Sequence, residues 1–158
     1  MAFSIEQQQE TEWCWNAVAT SVEHYFDPTS QLTQEELAVK ELGSAADLPL
    51  YLQDALEGIG KLSANPQGFL SFAQIQQQLA ANLPVCVHIA WAEGGSHYVV
   101  ISGYAVSSAG KPQVYVSDPL LPDSSVVVWD YDAFLFAYTP NNAVHAEGAW
   151  VDTCLVKP

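Results

Sequence analysis

At Pro84 the apolar pattern of the chain changes, from the 3.6-residue spacing of helices to the close-set β-branched and aromatic runs of strands. Helices gathered before that point and strands after it predict an α+β domain built on an antiparallel sheet. No internal repeat or low-complexity linker interrupts the 158 residues, so one domain spanning 1–158 is expected. Upstream, Trp15, Val18, Ala19, Val22 and Phe26 share one helical face, and Asp27-Pro28 ends that helix. Thr33 with Glu36, and Ser71 with Gln74, stand at capping-box spacing and predict two further helix starts. "DLPLYLQDALEGIG" reads as a helix between them, with Pro49 near its start and Gly58 and Gly60 closing it. Downstream, residues 85–91, 97–104, 113–118, 125–131 and 149–156 read as strands, with Gly94-Gly95 and "SSAGKP" as turns. "DAFLFAY", near residue 135, reads as a short helix among them.

Charge narrows the partners. Four lysines and no arginine face eighteen acidic residues, a formal charge of −14, which argues against a phosphate-binding surface and so against nucleic acid. The acidity serves solubility or steers basic peptides toward the protein. No run of eighteen apolar residues is present, so no membrane span is expected. "MAFSIEQQQETE" lacks the features of a secretory signal, which leaves a cytoplasmic protein, one exported without a cleaved signal, or a domain of a longer chain. Cys14, Cys86 and Cys154 form no CxxC pair and argue against a disulfide framework. Cys86 and Cys154 sit in apolar strand runs and read as small buried hydrophobes, and Cys86 with His88 is too sparse for a metal site.

Cys14 differs from the other two. Lying between Trp13 and Trp15 where the helical pattern begins, it is placed at a helix N-terminus. Unpaired N–H groups and the helix dipole there favour an anion, and the thiolate is the nucleophilic form of cysteine. Glu10 and Glu12 oppose that anion, so a histidinium partner is called for. His24 lies about 15 Å along the same helix, too far to serve. His145 falls in a polar loop without an obvious partner, and His88 reads as a core histidine. His97, at a strand start behind "AEGGS", is the best placed, although a plain turn histidine fits the same spot. A base of this kind needs an orienting group, and Asp118 ends the next strand of the expected hairpin. Taken alone, Asp118-Pro119 also reads as an ordinary strand-ending turn. Upstream, Gln7, Gln8 and Gln9 are each candidates to donate to an oxyanion. Trp13 and Trp15 read either as core anchors or as shields that dry the site.

Gln8, Trp13-Cys14-Trp15-x-Ala17, "GGSHYVVISGY" and "VYVSDP", in that order, resemble the papain-like cysteine peptidases. The likeness is greatest to the compact bacterial branches, the type III effector proteases and the leader-peptidase domains of bacteriocin exporters. It extends over nearly the whole chain, through "QLTQEELAVKEL" and "IQQQLAANLPVCVHI". The resemblance implies a papain-like fold with the nucleophile at the first helix N-terminus, packed on a C-terminal antiparallel sheet. It further implies Cys14 as nucleophile, His97 as general base, Asp118 as orienter and Gln8, six positions before the cysteine, as oxyanion donor. The activity implied is hydrolysis of a peptide or protein substrate without metal or organic cofactor. Related acyl transfer (deamidation or transglutamination), a non-catalytic peptide-binding module, and a redox sensor using Cys14 alone remain as alternatives. Asn16, after the tryptophan, and the two upstream glutamates depart from the family pattern.

Overall fold

A computed structural model describes residues 2–122, 125–140 and 147–158. Three helices come first, α1 (Cys14–Phe26), α2 (Gln34–Leu42) and α3 (Leu52–Gly58). The strand β1 (Leu62–Ala64) and the helix α4 (Phe72–Ala80) follow. Then come β2 (Val85–Trp91), β3 (Ser96–Val106), β4 (Pro112–Ser117), β5 (Val126–Asp130), α5 (Tyr131–Ala137) and β6 (Gly148–Val156). The strands form one antiparallel sheet in the order β1-β6-β2-β3-β4-β5. This is the expected α+β arrangement, with the first helices packed on the sheet.

The sheet is covered on both faces, and the strand sequences show why. Along β2, Cys86 joins a core cluster with Trp15, Val18, Leu37 and Leu56 from the first three helices. Its neighbours Val85, Val87, Ile89 and Trp91 point the other way, into a second cluster with Ile75 of α4 and Phe134 of α5. Strand β3 divides likewise, Tyr98 and Val100 to the first cluster, Val99 and Ile101 to the second. Alternating side chains that are apolar on both faces belong in a central strand, and β2 and β3 are central. Edge strand β5 leaves Val126 and Val128 about half exposed.

Both capping boxes form as the spacing predicts, at Thr33–Glu36 and Ser71–Gln74. Three local features lie outside the spacing-based reading. Helix α3 starts at Leu52, beyond Pro49, because residues 46–48 are held by tertiary bonds: the Trp13 and Trp15 indoles donate to the carbonyls of Ala46 and Leu48. Helix α4 stops before Pro84, where Asn82 turns the chain at φ 58°. Strand β1, paired to β6, is too short to leave a periodic signature. No helix among the described residues is long and apolar enough to cross a membrane.

Trp15 has no exposed surface and ties α1 to the 46–48 segment, so its loss should be among the largest single destabilisations. Urea titration of Trp15→Ala is expected to show a loss of about 3–5 kcal/mol. A loss below about 1 kcal/mol would mean that this side chain does not set the helix in place.

Candidate active site

The start of α1, the start of β3 and the end of β4 meet around one cleft. Helix α1 lies against β3, α2 and α3, and its first residue is Cys14. The turn between β2 and β3 is closed by Trp91 N–H to Gly95 O at 3.1 Å and Gly94 N–H to Trp91 O at 3.0 Å. Gly94 and Gly95 take φ of 97° and 82°, conformations that glycine adopts at little cost. That turn sets His97 opposite Ile89 at the start of β3. Asp118 directly follows β4, the antiparallel neighbour of β3. Gln8 N–H donates to Pro119 O at 2.9 Å and so stitches the glutamine-rich segment to the end of β4. Between these parts lies a cleft of about 500 Å³, lined by Gln8, Glu10, Cys14, Trp91, His97 and Pro119, among others.

The ring of His97 joins the two sides. Its Nε2 lies 2.7 Å from Asp118 Oδ1, and the Cys14 side chain, lining the same cleft, also interacts with the ring. Burial alone would lower the His97 pKa, since a buried cation loses its water. The Asp118 charge and hydrogen bond, aided by the bond to Cys14 and its charge, overcome that and raise it to about 10. The ring is therefore an imidazolium at neutral pH. Asp118 has no exposed surface, and burial works to raise its pKa. The His97 charge and hydrogen bond, the Tyr138 hydroxyl and the Leu120 N–H outweigh burial and hold it below the ordinary carboxylate value. Cys14 is partly exposed, facing the cleft from the first position of a thirteen-residue helix. No acidic residue lies in the first turn of α1, and Glu10 and Glu12 stand exposed on the cleft rim.

Gln8 lines the same cleft, but its amide faces differently from what an oxyanion donor requires. Its Nε2 donates to Glu10 O at 2.9 Å and Thr11 O at 2.7 Å, so both N–H bonds close its own turn. Its Oε1 is buried without a partner among the described residues. Gln7 and Gln9 also line the cleft, and both are bound through their backbones to Gln34.

A nucleophilic residue type at a helix mouth, beside a buried histidine–aspartate pair, is the constellation of thiol acyl-transfer enzymes. A family model described as papain-like cysteine protease AvrRpt2 matches residues 1–132. The chain belongs to this family. It is a papain-like cysteine peptidase, of a family whose members act on protein substrates. No curated protein matches the chain.

Elsewhere in the peptidase the remaining sequence candidates are accounted for. His24 pairs with Glu6 at 2.8 Å on the far part of α1. His88 pairs with Asp152 at 3.0 Å and stacks on Tyr98, while its Nε2 is buried without a partner among the described residues. His145 lies outside the described residues. Cys86 and Cys154 are buried free thiols on adjacent strands, and burial is the main cause raising the pKa of each. Trp13 and Trp15 are core anchors. The aromatic shield is Trp91 instead, its ring nearly parallel to His97 at 16° and 5.8 Å between centroids.

Trp91 and Tyr138 were not legible as site residues, because each reads as one more apolar residue in a strand or short helix. Gln34 was also missed. Only 1% exposed, it accepts from Gln9 N–H at 3.1 Å and donates to Gln7 O at 3.0 Å, fastening the glutamine segment to α2. Asn16, the departure from the family pattern, is buried and donates to the Gln34 carbonyl at 2.7 Å.

The His97–Asp118 pair carries a pH signature. An unfolded histidine releases its proton near 6.5, whereas folded His97 holds it to about 10. The pair's contribution is thus full below about 6.5 and lost as pH rises toward 10. Thermal melts across that window should show Tm falling more steeply in the wild type than in Asp118→Asn. Equal slopes would mean that the carboxylate does not hold the proton on His97.

Proposed function

We propose that the peptidase hydrolyses peptide bonds by acyl transfer through Cys14, with His97 as acid and base and Asp118 as its orienter. The single observation that carries this reading is the His97 ring, bonded through Nε2 to a buried carboxylate and interacting with the Cys14 side chain on the same cleft. The Cys14 sulfur attacks the scissile carbonyl carbon, forming a C–S bond and a tetrahedral oxyanion. The C–N bond then breaks, and the leaving amine takes its proton from the His97 imidazolium. Water attacks the thioester, His97 accepts its proton, and the second tetrahedral species collapses to a carboxylic acid and the free thiolate. Nucleophile, acid, base and orienter all come from the chain, and the cycle as written calls for no metal or organic cofactor.

Backbone N–H groups at the mouth of α1 supply one oxyanion donor, and Gln8 supplies the other by turning one amide bond from its own loop toward the developing charge. It must first give up one of the two loop carbonyls that hold its donors, Glu10 O and Thr11 O. Both core clusters lie on the same sheet, which supports reading residues 1–158 as one peptidase domain.

The test is a proteome digest compared with Cys14→Ala, reading both new amino termini and released ammonia. New amino termini made only by the wild type are expected. Ammonia without new termini would assign a deamidase or transglutaminase instead. His97→Ala should lower the rate by about a hundredfold or more, and Gln8→Ala by about a hundredfold in kcat. Iodoacetamide near neutral pH should label Cys14 well ahead of Cys86 and Cys154, and His97→Ala should slow that labelling. Labelling that is indifferent to His97 would reduce Cys14 to a lone reactive thiol.

A further inference from the structure

We propose that Tyr138 is a positioning residue for this reaction, its hydroxyl fixing the orientation of the Asp118 carboxylate and, through it, of His97. The proposal rests on the Cys14–His97–Asp118 reading above. Oxygen Oδ1 of Asp118 takes two donors, His97 Nε2 at 2.7 Å and Leu120 N–H at 2.8 Å. Oxygen Oδ2 takes the Tyr138 hydroxyl. A carboxylate held at one oxygen alone can still turn about its Cβ–Cγ bond. Bonds at both oxygens lock its plane.

Tyr138 is built into place rather than placed by chance. Its backbone exchanges two hydrogen bonds with Gly148, at 2.9 and 2.8 Å, just past the end of α5. Its ring has no exposed surface and packs on Phe134 and Trp129, each with centroids 5.3 Å apart. Trp91 lies nearly parallel to Tyr138 at 17°, and on to His97 at 16°. Gly148 makes this shelf possible, since a Cβ there would stand 2.3 Å from Ile89 and 2.7 Å from Trp91. A closed circuit results: Tyr138 reaches His97 once through Asp118 and again through Trp91. Burial, then the Asp118 charge, raises the Tyr138 pKa, so the phenol keeps its proton and can only donate to the carboxylate. Tyr138 and Gly148 both lie beyond the residues the family model matches.

The experiment compares wild type, Tyr138→Phe, Asp118→Asn and the double variant, with iodoacetamide as the probe of Cys14. Mass spectrometry gives the alkylation rate, and proton NMR follows the downfield imidazole N–H of His97. Removing the hydroxyl should slow alkylation by about tenfold and move or broaden the His97 resonance. Adding Tyr138→Phe to Asp118→Asn should change neither readout further. A wild-type rate and an unmoved resonance in Tyr138→Phe would overturn the proposal. So would losses that multiply in the double variant, since they would mark an independent packing role. Should Tyr138→Phe fail to fold, 3-fluorotyrosine at position 138 keeps the hydroxyl and makes it a stronger donor. The His97 resonance should then shift, and an unmoved one is again decisive against the idea. If Asp118→Asn itself alkylates at the wild-type rate, the triad reading fails. If Asp118→Asn is slow and Tyr138→Phe is not, only the role of Tyr138 fails.

Discussion

A carboxylate stripped of all its water persists as an anion only where donors and a positive charge take the water's place. Asp118 is in that position, fully buried beneath the sheet edge. Its donors come from three separate parts of the chain: His97 at the start of β3, Leu120 beyond β4, and Tyr138 just past α5. Ionising this one group forces those parts together, and it also keeps the His97 ring charged. The ring also lines the cleft that Cys14 faces, and Cys14 adds to holding its charge. The chemistry of the site follows from satisfying a buried charge.

The two layers of the fold divide the labour. The sheet supplies His97 and Asp118, because an antiparallel hairpin brings the start of one strand beside the end of the next. The helical layer supplies the sulfur, at the mouth of α1. What aligns the layers is the first core cluster, in which α1 rests on β3, together with the indole bonds of Trp13 and Trp15 to the 46–48 segment. Gln34 and Pro119 complete the assembly by tying the glutamine segment to both layers. A thiol on a helix and an imidazole on a strand are thus held by packing across the interface, with no covalent link between them.

Features whose causes are local were readable in the chain. The capping boxes at Thr33 and Ser71 form within four residues, and the double-glycine turn before His97 needs only its own backbone freedom. The run 85–91 reads as a buried strand because both its faces are apolar, and it is one. Where the reading missed, a distant partner was responsible. Pro49 is kept out of α3 by two tryptophans more than thirty residues away. The shield over the imidazole is Trp91 and not Trp15, because the helix turns Trp15 into the core and the β2–β3 hairpin folds Trp91 back over His97. The Gln8 amide points into its own turn because Glu10 and Thr11 present carbonyls to it.

From residue types and their spacing alone came the α+β class, the helix mouth at Cys14, and the candidacy of His97 and Asp118, while Gln8 was set apart from Gln7 and Gln9 only by the family resemblance. These depend on periodicity, capping and chemistry carried within short stretches. The meeting of sulfur, imidazole and carboxylate, the proton held on His97 and the hydroxyl of Tyr138 on Asp118 belong to the folded molecule. They join residues 14, 97, 118 and 138, and their energies arise from burial, which a chain acquires only when its layers close upon one another.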